Sequence, residues 1–329
     1  MESRREFLKK TGRGALYTSA LATAPSLLAN SRQTGKKQEG KPFHIGIIGA
    51  ENSHTIGFGE MFNIEKRFPG MELNYVWGET EEFARRAMEK GNIPNMVKDP
   101  LEMLGKIDAL IVDHRHARYH LEAARPFVLE GIPTFIDKPF CYRVSEGEEF
   151  LSMARKVGTP VTSYSSIRQT DGMFDIKEQL PSLGEFNQIV SYGPADMDSQ
   201  YGGIFFYGVH IVEPMLLLFG ARVLKVRITR QNANATASLV FGDGKLATLI
   251  FKNLSYGWET FIESESGVIQ LRPGVEESDP VRGYREMVEM FKTGREPRSH
   301  QSILAGIAVL EALEKSVATG DWVEVYQVA

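Results

Sequence analysis

Between residues 43 and 166 short apolar runs alternate with amphipathic stretches, and no other feature constrains the fold as tightly. The runs are "FHIGIIG" (43–49), "ELNYVWG" (72–78), "IDALIVD" (107–113), "PTFID" (133–137) and "PVTSYSS" (160–166). Between them lie "TIGFGEMFNIEKRF" (55–68), "TEEFARRAMEKG" (80–91), "RYHLEAARPFVLEG" (118–131) and "VSEGEEFLSMARKVG" (144–158). In the first of these, Ile56, Met61, Ile64 and Phe68 fall near helical spacing, with Asn52 or Ser53 placed as N-cap. A strand that is apolar on both faces must be covered on both, so each run predicts a strand with helices above and below. The alternation predicts a doubly wound, parallel α/β sheet.

Past Ser166 the pattern changes. "VLKVRITR" (223–230), "ATASLVFGDGKLATLIFKN" (235–253) and "WETFIESESGVIQLRPG" (258–274) predict consecutive strands, with a hairpin through Asp243-Gly244. "YREMVEMFKTG" (284–294) and "SILAGIAVLEALEKSVATG" (302–320) predict helices, the latter with one apolar stripe through Ile303, Ile307, Leu310, Leu313 and Val317. A run of strands beside helices predicts an α+β domain with an open, mainly antiparallel sheet. The 329 residues suffice for two such domains, taking about 150 residues each as a prior. We place a Rossmann-like domain at 42–165 and the second, substrate-binding and oligomerising domain at 166–329.

The first residues read differently. "SRREFLKK" (3–10) sets Arg4 beside Arg5 ahead of the mildly apolar "GALYTSALATAPSLLA". A basic segment before a short apolar one reads as an export signal, too short and polar to span a bilayer. The pattern S-R-R-x-F-L-K resembles the bacterial twin-arginine (Tat) signal, which implies the Tat translocase as a partner and a periplasmic destination. We place this segment at 1–31 and a solvated linker at 32–41.

The formal charge of −4 points away from nucleic acid and from anionic membranes. No apolar run reaches about 18 residues, so no stable membrane insertion is expected. The lone cysteine, Cys141, excludes an internal disulfide.

In a doubly wound sheet, ligands bind outside the carboxyl ends of the strands. That rule selects Gly49, Asn52, Ser53 and His54, then Gly78 and Glu79, then Asp113 to His116, then Asp137 to Pro139. Lys138 follows an apolar strand at once and precedes Pro139, whose fixed φ stiffens the turn. A lysine so held can donate a proton or clamp charge.

Three segments carry a family resemblance. "DKPF" (137–140) looks like an E/D-K-P motif, "GVHIVEPMLLLFG" (208–220) like a G-x-H-x-x-D helix, and "GREPRSHQSILAGIAVLEALEKSVATGDWVEV" (294–325) like a last helix and strand. Together they resemble the Gfo/Idh/MocA family, the glucose–fructose oxidoreductase and inositol dehydrogenase group. The resemblance implies hydride transfer at a carbinol carbon of a sugar or polyol with NAD or NADP, in a homo-oligomer; export through the Tat route would require that cofactor to be preloaded and tightly bound. It implies Lys138 and His210 as the catalytic pair. The nucleotide would be held by Gly49, Asn52, Ser53, His54, Glu79, Asp113 and Lys138, and Glu213 stands at the motif's last acid. From the residues themselves, Arg168 reads as an anion clamp or scaffold and Tyr164 and Tyr207 as residues lining a sugar site; with Glu213 these are the expected substrate contacts. Two alternatives stand beside it: acid/base elimination or hydration of a keto-sugar, and sugar binding without catalysis.

The chain departs from the pattern in several places. Phe206 occupies the position of an aspartate found four residues before the histidine. Glu213 replaces the motif's last acid. Because strand two ends in "WGE", the ribose-binding acid is displaced to Glu79. In the fingerprint G-x-G-x-x-G, Glu51 and His54 replace the second and third glycines, which makes the nucleotide site degenerate. Like charges about 4 Å apart at an effective dielectric of 20 repel by about 4 kcal/mol, roughly a thousandfold in affinity. His54 also threatens close helix–strand packing. The cluster "DHRHARYH" (113–120) is rich in metal-capable groups, Asp113, His114, His116 and His120. His120 reads as scaffold, Arg115 as an anion clamp or scaffold, Tyr201 as a possible sugar contact, and no metal is expected.

Overall fold

The computed structural model describes residues 41–328. The expected signal, residues 1–31, lies outside them, as does the linker apart from Lys41.

The first half contains β1 (Phe43–Ile48), α1 (His54–Gly59), β2 (Met71–Trp77), α2 (Glu81–Gly91), β3 (Asn95–Met96) and β4 (Ala109–Val112). It continues with α3 (His120–Leu129), β5 (Thr134–Ile136), α4 (Val144–Val157) and β6 (Val161–Thr162). The strands form one sheet in the order β3-β2-β1-β4-β5-β6, every pair parallel. Ile45, Ile47 and Ile48 of β1 and all of β4 have no exposed surface, as an apolar run covered on both faces requires. The order of strands reverses between β1 and β4, the switch point beside which sheets of this kind bind their ligands.

The second half contains α5 (Asp171–Gln179), β7 (Phe186–Pro194), α6 (Ile204–Phe219), β8 (Val223–Gln231), β9 (Asn234–Phe241) and β10 (Leu246–Lys252). After these come β11 (Glu259–Ser264), β12 (Gly267–Leu271), α7 (Arg282–Thr293), α8 (His300–Thr319) and β13 (Val323–Glu324). Their sheet runs β12-β11-β7-β10-β9-β8-β13, antiparallel throughout except for the β7–β10 pair. Along β9, burial alternates residue by residue, so one face is covered and the other open. α6 and α8 pack on each other, and α8 lies against β8. Every residue of α6 except Tyr207 is buried, which explains a helix apolar all round.

Three local expectations are corrected. The predicted helix 55–68 is α-helical only to Gly59 and continues as a π-turn over Glu60–Ile64, with Glu65 N–H donating to the Glu60 carbonyl at 2.8 Å. Neither Asn52 nor Ser53 caps α1 by the usual side-chain bond; the Asn52 amide oxygen instead accepts from His54 N–H at 3.4 Å. The strand predicted at 160–166 shortens to Val161–Thr162. Beyond it the backbone is diverted: Ser163 C=O accepts from Arg298 at 3.0 Å and Ser165 N–H donates to Glu213 at 2.5 Å.

Candidate active site

The turn after β1 is shaped by contact with the end of β4. Gly49 has φ of +109°, and a Cβ there would lie 2.6 Å from the Asp113 carbonyl carbon. Only glycine fits. From the end of β2, Glu79 Oε2 accepts from the amides of Ala50 and Glu51, both at 2.9 Å. Its other oxygen, Oε1, is buried and has no partner. Arg86 braces the same turn, donating to Ala50 C=O at 3.1 Å.

Glu51 does not project its charge freely. Its carboxylate accepts from the Tyr201 hydroxyl, and Arg115 Nη1 lies 3.9 Å away. The Arg115 guanidinium stacks 4.3 Å above the Tyr201 ring. The repulsion expected from Glu51 is therefore offset by a cation already beside it. His54 does not press into a strand either; it turns its ring toward Asp137. Close helix–strand packing falls to Gly78, where a Cβ would meet Ala84 N at 2.8 Å and Ala50 Cβ at 2.9 Å.

Asp113 and Asp137, at the ends of β4 and β5, form a buried acid pair. Asn52 Nδ2 donates to Asp113 at 2.8 Å and to Asp137 at 3.3 Å. His54 Nδ1 lies 3.0 Å from Asp137 Oδ2. Thr55 Oγ1 lies 2.7 Å from Gly49 C=O and 2.6 Å from Asp113 Oδ2. A threonine hydroxyl has one hydrogen, and a carbonyl can only accept. Giving the hydrogen to Gly49 leaves the short contact with Asp113 satisfied when Asp113 is itself protonated. Electrostatics agree: burial, then the charge of Asp137, holds the Asp113 carboxyl well above its ordinary range. Burial pushes Asp137 up as well, but the charge and hydrogen bond of His54, with Lys138, outweigh it and keep Asp137 ionised. His54, Asp113 and Asp137 bring potential ligand atoms within 4.8 Å of one another, but the carboxylates are engaged by Asn52, Thr55 and His54.

Lys138 and His210 come from different halves and both approach Tyr207. Lys138 is 7% exposed, its ammonium 5.5 Å from the Phe206 ring centre and 5.9 Å from that of Tyr207. Tyr207 in turn lies 5.9 Å from the His210 ring, which has Trp258 5.8 Å away on another side. Burial first, then the charges of Lys138 and His54, hold His210 well below the usual imidazole value, so it is neutral. Phe206, standing where the family pattern has a carboxylate, supplies aromatic surface to Lys138 and Arg115 instead.

His210 is oriented from behind. Its Nδ1 lies 2.7 Å from Ser165 Oγ. Glu213, one helical turn on, accepts the Ser165 amide on Oε2 and Arg298 on Oε1 at 2.8 Å. Ser165 and Arg298 were not selected from sequence. Ser165 falls just past β6, among the strand ends, and could have been; Arg298 carried no local signal.

Other expected site residues lie elsewhere in role. Tyr164 is core: 5% exposed, packed on Phe135, its hydroxyl donating to Gly283 C=O at 2.5 Å. Arg168 is buried beside Gln169, and burial and Arg298 lower its guanidinium to about 10. Glu213 is a buried ion-pair partner of Arg298. Both Glu213 oxygens are thereby committed, one to Arg298 and one to the Ser165 amide. His120 is scaffold, as expected: its ring spans His114 C=O at 2.8 Å and Pro139 C=O at 3.0 Å, tying the β4 end to the Lys138 turn. His114 packs against Trp77, Tyr119 and His120.

Two features of these strand ends bear on a dinucleotide: Gly49 holds the turn tight against the end of β4, and Glu79 keeps one buried oxygen without a partner. Residues 43–165 match the model of the GFO_IDH_MocA oxidoreductase family, NAD-binding Rossmann fold. The chain is 27% identical over 223 residues to the uncharacterized oxidoreductase YhhX of Escherichia coli (strain K12). That match spans 59% of this chain and 63% of the relative's length. Among solved structures it superposes on myo-inositol dehydrogenase from Lactobacillus casei, bound to NAD(H) and myo-inositol, with a TM-score of 0.73 and 15% identity. That alignment covers 88% of this chain and 98% of the other. Scyllo-inositol dehydrogenase from the same organism, with NAD(H) and scyllo-inositol, gives 0.70 at 16%, over 86% and 99%. At these identities the likeness establishes the fold.

Proposed function

We propose that this chain, whose residues 43–165 carry the NAD-binding Rossmann domain of the Gfo/Idh/MocA oxidoreductases, is an NAD(P)-dependent oxidoreductase acting at a carbinol carbon of a sugar or polyol. One observation carries the reading: Lys138, in the turn after β5, and His210, on α6 of the second half, both lie 5.9 Å from the Tyr207 ring. The nicotinamide cofactor, when bound, accepts or supplies the hydride. Gly49 and Glu79 would hold its nucleotide portion, the unpartnered Glu79 oxygen being available to a ribose hydroxyl. Lys138 and His210 act on the substrate oxygen, one as proton carrier and one as hydrogen-bond partner. Tyr207, Phe206 and Trp258 form apolar walls that exclude water and strengthen both interactions. The twin-arginine pattern supports export of the folded, cofactor-loaded protein, and cell fractionation checks it.

The test is to denature the purified protein and identify what it releases. Release of NAD or NADP near one per chain, with oxidation of a polyol in the intact protein, supports the reading. No nucleotide and turnover of a keto-sugar would transfer the same pair to elimination chemistry.

A further inference from the structure

We propose that Ser165 is a positioning residue that fixes the His210 tautomer, placing the ring hydrogen on Nε2 and making His210 a hydrogen-bond donor to the substrate oxygen. The proposal rests on the oxidoreductase reading for its consequence, but its structural content stands apart from it.

The geometry is a matter of counting hydrogens. Ser165 is wholly buried, and its Oγ has two neighbours: His210 Nδ1 at 2.7 Å and the Ile167 amide, which donates to it at 3.2 Å. The amide cannot accept, so it takes one lone pair of Oγ. If His210 carried its hydrogen on Nδ1, the ring would take the second lone pair. The serine hydrogen would then be buried without an acceptor, at a cost of about 1–3 kcal/mol. With the hydrogen on Nε2, Oγ–H donates to Nδ1 and each of the three groups is satisfied. A neutral ring is required, and burial beside Lys138 supplies one.

The serine is itself held from two sides. Its amide is bound by Glu213, and Glu213 is bound by Arg298, which also grips Ser163 C=O. His210 and Glu213 sit three residues apart on α6, so they face the same way. One takes the Ser165 hydroxyl and the other its amide. The loop after β6 thus locks the imidazole in the place where the family pattern would use an acid at position 206. A carboxylate would favour a hydrogen on the nitrogen facing it; a serine already accepting an amide hydrogen favours the opposite.

The roles of the two catalytic groups then separate. In the reducing direction a bound dihydronicotinamide would supply hydride to the carbonyl carbon, while the carbonyl oxygen would accept from His210 Nε2–H and draw its proton from the Lys138 ammonium. That N–H bond breaks as the new O–H bond forms, leaving a neutral amine. His210 keeps its hydrogen throughout.

The test uses the full chain with ¹⁵N-labelled histidine. Ring signals of His210, identified by their loss in His210→Gln, should show a protonated Nε2 and a bare Nδ1. Ser165→Ala should abolish that preference and lower the reductive kcat about tenfold to a hundredfold with KM within about twofold, and Ser165→Thr should restore both. A hydrogen on Nδ1 in the unaltered protein, or ring signals unmoved in a folded Ser165→Ala, overturns the proposal. Redox turnover that is absent while Nε2 carries the hydrogen would remove the oxidoreductase reading and leave the tautomer standing.

Discussion

His54 Nδ1 sits 3.0 Å from Asp137 Oδ2, so the residue that replaces the third fingerprint glycine is tied to the strand that ends in Lys138. The imidazole is one-third exposed and the carboxylate almost fully buried. This bond lowers the Asp137 carboxyl, while burial and the charge of Asp137 raise that of Asp113.

Removing the ring leaves that carboxylate with Asn52 and the neighbouring Asp113 carboxyl as its side-chain partners. His54→Ala should lose about 1–3 kcal/mol of stability at neutral pH, the cost of a buried acceptor stripped of a partner. Urea unfolding measures it. A variant as stable as the parent would mean that the pair is decorative.

Glu51 is expected to matter little to nucleotide affinity. Its charge is shared with Arg115 and Tyr201, so Glu51→Gln should change dinucleotide affinity by less than about threefold, against the roughly thousandfold of an uncompensated charge. Calorimetric titration separates the two. Tightening of a hundredfold or more would show that the carboxylate does oppose the phosphates.

Lys138 and His210 should fail in different ways. Lys138→Ala removes the proton carrier and should lower kcat by about a hundredfold to ten-thousandfold, with the fold retained. His210→Gln keeps a donor near the same place and should lose less than His210→Ala. Equal and unchanged rates in all three would dissolve the site.

Stability should fall on the acid side. Burial lowers His114 to about 3 and holds His210 well below the ordinary 6.5. Groups with lowered values contribute stability above pH 6.5, which is lost as pH falls toward the folded-state values. Each fully buried ring can contribute up to about 1.4 kcal/mol per pH step of one. The raised Asp113 works the other way, its contribution being lost as pH rises through its folded-state value. Unfolding followed from pH 7 to 5 should show the decline, and His114→Phe should flatten it, since His114 Nδ1 has no partner to lose. A level profile would contradict it.

Much of the first sheet was legible because its strands are apolar on both faces; β1 and β4 could be little else. β7 was not, since "FNQIVSYGP" lies on a half-open sheet and mixes polar with apolar residues without a clear run. Residues 160–166 read as a strand from their β-branched and aromatic content. Arg298 takes the backbone of Ser163 from across 135 positions of chain, and no window of sequence contains both. The site divides the same way. The strand-end rule reaches Gly49, Glu79, Asp113 and Lys138, and motif spacing reaches His210. The pairings His54–Asp137, Glu51–Tyr201 and Ser165–His210 join distant segments, and only the folded chain reveals them.

Arg298 also sets a schedule. During biosynthesis α6 emerges from the ribosome long before the guanidinium that neutralises its Glu213, so the imidazole's seat stays unfinished until nearly the whole polypeptide has been made. A product truncated ahead of residue 298 would bury a carboxylate with no cation, and quality-control proteases would meet a half-assembled second lobe.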